Sequence, residues 1–216
     1  GYGSVGYSYN IGKYEVTAGQ YSELLNKAGG VDTYGLYDTE MSRTDYGSGI
    51  TRTGGGTVGN PWTYSVASDF VNRPVNYVSW GDSARFANWM HNGQLSGAQN
   101  ALTTEDGSYF LNGVTSDAAV MAVTRKANAT WVIPSEDEWY KAAYHKNDGV
   151  TGNYWDYPTS SDSLPSNDLI DPDPGNSANF PSDHTGTYHY TIDSPYYRTE
   201  VGEFENSGSP YGTFDQ

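Results

Sequence analysis

Histidines and clustered carboxylates are the side chains of this sequence that could do acid–base or metal chemistry. His184 and His189 lie five positions apart beside Asp183 and could contribute to a transition-metal site. That spacing, in a segment without periodicity, is a weak metal signature. The Glu-Asp-Glu run at 136–138 could act in acid–base catalysis. A role in starting a helix explains this run better. The other histidines are His91 and His145.

Cysteine is absent from the sequence. Its absence removes disulfides, thiolate metal sites and cysteine nucleophiles together. The glycine run Gly54–Gly56 lacks the lysine and the following helix of a phosphate-binding loop, so it indicates a flexible turn. Catalytic motifs are therefore scarce, and a binding or structural role becomes the simpler expectation.

Charge and composition narrow the classes of partner. The net charge is −15, which argues against nucleic acid and anionic membranes as partners. The sequence has no apolar run long enough for a membrane span. Its 26 Gly and 10 Pro predict a loop-rich chain, and its 20 Tyr and 6 Trp supply apolar area for a core. The tyrosine-rich, lysine-poor composition suits an extracellular or cell-surface protein.

Three helices are predicted from local signals. Thr17 and Gln20 form a capping-box pattern before a helix over 18–28. A second helix starts after Ser79 and covers about 80–92. Ser135 and Glu138 form another capping box, followed by a helix with one apolar face. We expect that face to bury Trp139, Ala142 and Ala143.

Strands are predicted to be short. The patterns indicate strands within 7–16, 75–78, 131–133 and 201–204, a polar turn with a short strand within 103–113, and a hairpin within 31–72. From residue 146 onward turn-forming residues dominate. A long segment of this kind is either disordered or held in place by packed aromatic rings and metal ions, and its many Tyr residues favour order.

Three separated motifs resemble one known family, the formylglycine-generating enzymes, also called sulfatase-modifying factors. They are Ile11–Thr17 with Gln20-Tyr21, Arg73–Trp80 with Asp82, Ala84 and Trp89, and Ile133–Trp139 with Ala142-Ala143. Thr103–Gly107 and Tyr154–Thr159 are also similar to segments of a secreted bacterial subgroup. The resemblance implies one α+β domain over 1–216, with a loop-rich fold related to C-type lectins. It also leads us to expect that this domain is incomplete at its C-terminus.

The resemblance also implies structural calcium. One site would use Asn179 and Phe180 of an Ala-Asn-hydrophobic motif together with Asp193, which precedes the Val-x-x-Phe segment. A second site would use Asp215 at the end of a Tyr-Gly-x-aromatic-Asp motif. Calcium prefers the oxygen ligands that these residues carry. The alternative is that Asn179, Asp193 and Asp215 are ordinary turn residues.

The family's oxidase chemistry does not transfer to these residues. The resemblance implies a pair of cysteines that hold copper(I), a soft ion that requires thiolates, and none is present. We therefore expect no copper in this chain and a secreted, non-catalytic, calcium-stabilised scaffold. One alternative is a fragment of a copper-dependent oxidase whose cysteines lie beyond residue 216. Another is a structural subunit of an extracellular assembly.

Tyrosine abundance bears on the partners. Exposed Tyr and Trp side chains give adaptable contact surface at low entropic cost. On a lectin-related scaffold they would suit a glycan or peptide ligand, or other copies of the same chain. Most of these rings must nevertheless fill the core.

Overall fold

The computed structural model describes residues 2–181 and 189–214, and most of them lie outside regular secondary structure. The helices are α1 (Ala18–Ala28), α2 (Trp80–His91), the short α3 (Asp117–Val120) and α4 (Glu136–Tyr144), with a 3₁₀ turn at Thr39–Ser42. The strands are β1 (Ile50–Thr53) and β2 (Thr63–Val66). This is the loop-rich α+β class that the sequence predicts. Within the described ranges, no helix combines the length and apolar character needed to cross a membrane.

The chain forms two compact units. The first unit combines Gly1–Glu15 with Pro134–Gln216, and the second unit is Val16–Ile133. Helices α1, α2 and α3 and both strands belong to the second unit, and α4 belongs to the first.

The core of the second unit is built around α1 and the predicted hairpin. Strands β1 and β2 pair antiparallel, from Ile50 opposite Val66 to Thr53 opposite Thr63. The side chain of Asn26 in α1 continues this pairing, because its amide donates to the Tyr64 carbonyl and accepts from the Tyr64 amide, at 3.0 and 2.9 Å. The buried face of α1 consists of Ala18, Tyr21, Leu24, Leu25 and Ala28.

Buried Asn88 in α2 organises a loop of the second unit that has neither helix nor strand. Its side-chain nitrogen donates to the carbonyl oxygens of Thr104 and Tyr109, at 2.7 and 2.9 Å. Its side-chain oxygen accepts from the Tyr109 amide at 2.7 Å. Gly107 has a φ of +148°, and a Cβ there would lie 3.1 Å from the Asn88 oxygen, so the close approach favours glycine.

Capping boxes start α1, α2 and α4, as the sequence indicates for α1 and α4. In α4 the Ser135 hydroxyl accepts from the Glu138 amide at 3.2 Å, and the Glu138 carboxylate accepts from the Ser135 amide at 2.7 Å. Glycine 29 ends α1, where its amide donates to the Leu25 carbonyl at 2.7 Å. The predicted bounds of α1 are confirmed, and α2 ends at His91, one residue before its predicted end, because capping and periodicity are local properties of the sequence.

The predicted face of α4 is partly wrong. Ala142 and Ala143 are buried, but Trp139 is 36% exposed. Its ring packs edge to face with that of Tyr144, and the two ring centres lie 5.8 Å apart. Glu138 is the buried residue of this turn, at 4% exposure. The capping box turns its carboxylate inward, where the Tyr7 hydroxyl also donates to it at 2.7 Å. The hydrogen bonds of the cap, rather than apolar periodicity, therefore set this part of the face.

The single strands predicted outside the hairpin are wrong: none of the segments 7–16, 75–78, 103–113, 131–133 and 201–204 forms one. Segment 103–113 contains one isolated bridge, Tyr109 with Arg125, and a second bridge, Thr17 with Pro74, lies next to segments 7–16 and 75–78. Side chains satisfy the backbone of Ile133 instead, since its amide donates to the Tyr109 hydroxyl and its carbonyl accepts from the Arg125 guanidinium, at 3.0 and 2.8 Å. Segment 201–204 forms a turn.

Candidate functional site

Asn179 and Phe180, two of the predicted calcium ligands, lie in a loop of the first unit. The Asn179 side-chain nitrogen donates to the Tyr197 carbonyl at 3.3 Å. The Thr191 hydroxyl lies between the carbonyl oxygens of Ala178 and Phe180, at 3.3 Å from each. The Phe180 carbonyl also accepts from the Asn167 side chain at 3.2 Å. This loop is thus tied to segment 191–197 by side-chain hydrogen bonds.

Asp193 is connected to this loop through Tyr197. The Asp193 carbonyl accepts from the amides of Tyr196 and Tyr197, at 3.2 and 3.4 Å, so Asp193 and Asn179 both bond to Tyr197. Among the residues that the structure describes, the Asp193 carboxylate and the Asn179 side-chain oxygen have no hydrogen-bond donor. Such uncommitted hard oxygen atoms suit a calcium ion.

The second predicted site is not described. Asp215 lies outside the described residues, as do Asp183 and His184 of the alternative transition-metal site. Within 2–181 and 189–214, no group of three or more His, Cys, Asp or Glu side chains is arranged to hold a metal ion.

Two histidines have structural partners. His91 Nδ1 lies 2.7 Å from the Thr130 hydroxyl. His145 follows α4, with Nε2 3.1 Å from the Val150 carbonyl and Nδ1 2.9 Å from the Tyr211 hydroxyl. These contacts fasten loops to the C-terminal ends of α2 and α4.

Glu138 at the start of α4 caps the helix, as the sequence indicates, and the structure adds an anchoring role for Asp137 and Glu138. Asp137 accepts from the Gly3 amide at 2.8 Å, and Glu138 accepts from Ser135 and Tyr7. Lys141 in the same helix donates to the Val5 carbonyl at 2.8 Å. Together these bonds attach the N-terminal segment to α4 within the first unit.

Asp173 is an anchor that the sequence analysis missed. It is 3% exposed, and its carboxylate accepts from the Ser207 hydroxyl and from the amides of Asn206 and Gly175, at 2.7, 3.0 and 2.9 Å. Burial raises the pKa of this carboxyl, but the hydrogen bonds together outweigh burial and lower the pKa below its ordinary value. Its Asp-Pro-Asp-Pro-Gly setting indicates a turn and gives no sign of the distant partners.

A buried ion pair joins α2 to the Thr103–Gly107 segment in the second unit. Arg85 Nε and Nη2 lie 2.8 and 3.1 Å from the two Glu105 carboxylate oxygens, and the two side chains are 2% and 5% exposed. Glu105 also accepts from the Thr104 hydroxyl and the Gly113 amide, at 2.9 and 2.8 Å. All of these partners together compensate the cost of removing the charges from water.

An open pocket of about 430 Å³ lies beside this ion pair. Its walls come from the segment around Tyr34, the start of α2, and residues 115–121, all within the second unit. Trp80 is 40% exposed, and its ring packs edge to face with that of Tyr109, with 5.4 Å between the ring centres. The Arg85 guanidinium lies 4.9 Å from the centre of the Tyr34 ring. The pocket therefore combines aromatic and polar groups.

Comparison with known proteins identifies the family. A family described as sulfatase-modifying factor enzyme 1-like domain matches residues 4–216. Searches of curated proteins and of solved structures gave no match. Because the family match covers nearly the whole sequence, the chain belongs to the family of sulfatase-modifying factor enzyme 1-like domains.

Proposed function

We propose that this chain is a secreted, non-catalytic sulfatase-modifying-factor-like domain that acts as a calcium-stabilised scaffold. Its fold would be related to that of C-type lectins, and it would bind a ligand or other copies of itself. The observation that carries the calcium proposal is the meeting of Asn179 and Asp193 at Tyr197, with uncommitted side-chain oxygens on both residues.

The donor set fits calcium chemically. Asn179 offers an amide oxygen and Asp193 offers a carboxylate, both hard ligands of the kind calcium selects. The Phe180 carbonyl is a hard oxygen too, and it would bind the ion in exchange for its hydrogen bonds from Asn167 and Thr191. When bound, the ion would supply positive charge that links two loops. Segment 146–214 forms neither helix nor strand in its described part, so such a link would compensate for missing backbone pairing.

Two observations support the non-catalytic part. The 216 residues contain no cysteine, so these residues cannot hold copper(I) through thiolates. His91, His145 and the carboxylates at the start of α4 serve as structural anchors. A sulfatase-type Cys-x-Pro-x-Arg peptide, incubated with the protein, copper and oxygen, should keep its thiol. Loss of thiol at a rate above the protein-free control would contradict this part of the proposal and support the oxidase alternative.

The calcium part is tested by thermal unfolding with calcium and with chelator. Calcium at about 100 times its dissociation constant stabilises the folded state by about 2.7 kcal/mol. For a chain of this length the melting temperature should then rise by roughly 5–10 °C. The variant Asp193→Asn should lose most of this rise, and Asp168→Asn, an exposed carboxylate of the same unit, should retain it. A melting temperature that responds to neither calcium nor chelator would overturn the calcium scaffold.

Assembly is tested separately. The first unit exposes Tyr2 and Tyr7, and the second unit exposes Tyr46 and Trp131, each at about half or more of its surface. Such side chains are enriched where proteins meet. Sedimentation over a range of concentrations should show association for a self-assembling scaffold. A monomer at every concentration would leave ligand binding as the role of the domain.

A further inference from the structure

The pocket of the second unit contains polar groups that no internal contact uses. Tyr34 and Thr115 carry hydroxyls, Trp80 carries an indole N–H, and Asp117 carries a carboxylate, and all four residues line the pocket. In the described part of the chain, none of these groups has a hydrogen-bond partner. The set includes one pure donor, one pure acceptor and two groups that do both.

The two other charged groups of the pocket are already committed. Arg85 forms the buried pair with Glu105 and also donates to the Val114 carbonyl at 2.9 Å. Asp82 is 8% exposed and accepts from the Ser79 amide and hydroxyl, at 3.0 and 2.6 Å. Both buried side chains therefore line the pocket with groups that are already bonded, and they hold the start of α2 in place.

Charge selects against anionic ligands, and the hydrogen-bonding groups favour a neutral ligand over a simple cation. An anion would meet the carboxylates of Asp82 and Asp117 in a chain whose net charge is −15. A simple cation would be attracted by these carboxylates but would leave the Trp80 indole N–H to water, and one face of the Tyr34 ring already carries the Arg85 guanidinium at 4.9 Å. A neutral ligand with both hydroxyl donors and hydroxyl acceptors satisfies all four free groups.

Shape points to the same class. The exposed ring of Trp80 offers an apolar surface beside the polar groups, and the half-buried side chain of Val120 adds a second one. A sugar ring has one apolar C–H face and a rim of hydroxyls, so it matches this combination. We propose that the pocket between Tyr34, Trp80 and Asp117 binds a neutral sugar residue, an inference that gives a ligand class to the binding role proposed above.

The test uses methyl glycosides of glucose, galactose and mannose, and N-acetylglucosamine, as probes. Binding to the full chain in calcium is measured by saturation-transfer NMR and titration calorimetry. At least one probe should bind with a dissociation constant on the order of millimolar, as expected for a ligand of about a dozen heavy atoms. Choline chloride and sodium glucuronate serve as the cationic and anionic probes.

Two variants locate the site. Asp117→Asn removes the charge from an exposed position and should weaken sugar binding about tenfold without changing the melting temperature. Trp80→Ala should abolish sugar binding, and circular dichroism checks that α2 remains. Trp131→Ala removes a tryptophan, 54% exposed, that does not line the pocket and should leave binding unchanged.

The outcomes separate this inference from the proposed scaffold. Three results would each overturn the sugar pocket. The first is that none of the four sugars binds, and the second is that choline or glucuronate binds more strongly than the sugars. The third is sugar binding that neither Asp117→Asn nor Trp80→Ala changes. A calcium-dependent rise in melting temperature in the same samples would show that the scaffold proposal survives that result. Sugar binding without any effect of calcium would instead overturn only the calcium part.

Discussion

Arg85 holds both carboxylate oxygens of Glu105 inside the second unit, at 2.8 and 3.1 Å, with both side chains almost fully shielded from water. Because the pair is buried, removing the charge of one partner leaves the other charge uncompensated. The Thr104 hydroxyl and the Gly113 amide would also lose the charge of their acceptor.

Glu105→Gln is therefore expected to lower the free energy of unfolding by about 3–5 kcal/mol, measured by urea denaturation. The matched control is Glu40→Gln, since Glu40 pairs with Arg43 at 3.1 Å where both side chains are more than 40% exposed. That change should leave the free energy of unfolding nearly unchanged, because solvent screens an exposed pair. Equal effects of the two substitutions would show that burial does not determine how much the Arg85–Glu105 pair contributes to the free energy of unfolding.

The N-cap of α4 should contribute measurably to stability. Ser135→Ala removes the hydroxyl that accepts from the Glu138 amide, and should lower the free energy of unfolding by about 1 kcal/mol. Ser116 precedes α3 and makes no side-chain cap hydrogen bond, so Ser116→Ala is expected to change stability much less. Both serines are exposed, which makes the comparison one of capping alone. The prediction is wrong if urea denaturation gives the same change for both.

Asp173 should make the protein sensitive to acid. Its pKa is lowered in the folded state, so its contribution to stability is complete above the unfolded value of about 3.9 and is lost as the pH falls through the folded value. The difference in unfolding free energy between the wild type and Asp173→Asn should therefore shrink as the pH is lowered below about 4. Urea denaturation from pH 7 to pH 2.5 measures this difference. A constant difference over that range would contradict the assignment.

Tyr64 should make the protein sensitive to alkali. Its hydroxyl donates to the Gly29 carbonyl at 2.8 Å, and burial first, with the Asp32 charge second, raises its pKa to about 12. Because the pKa is raised in the folded state, Tyr64 contributes fully to stability below its pKa in the unfolded chain, about 10. That contribution is lost as the pH rises towards 12. Tyr64→Phe should lose less stability than the wild type over that interval, whereas exposed Tyr2→Phe should follow the wild type. Parallel curves for wild type and Tyr64→Phe would refute this.

Local signals predicted the helices well, and pairing between distant segments explains the errors. Thr17 with Gln20 and Ser135 with Glu138 act within one turn, so the sequence alone identifies them. The apolar run ending at Ile133 looks like a strand, but strand formation requires a neighbouring strand. Here a tyrosine hydroxyl and an arginine side chain take that place, and nothing local to Ile133 indicates them.

The candidate calcium site also combines residues that the sequence identifies with contacts that only the folded chain reveals. Asn179 and Asp193 were identified through the family motif, and their common contact with Tyr197 depends on how two irregular loops fold together. Asp173 was missed because its partners lie more than 30 positions away, at Asn206 and Ser207. Residue type predicted which side chains could bind a cation, and only the three-dimensional structure reveals which of them are already occupied.

The side chain of Asn88 holds the amide of Tyr109 as a neighbouring strand would, although Tyr109 lies in neither helix nor sheet. In hydrogen exchange this amide should be among the slow ones of the second unit, because a buried hydrogen bond must open before exchange. A map of exchange rates in this protein would consequently follow its buried amide side chains as closely as its secondary structure. Rigidity in such a fold depends on individual residues, so the side chain of Asn88 can protect a backbone amide that lies outside the helices and strands.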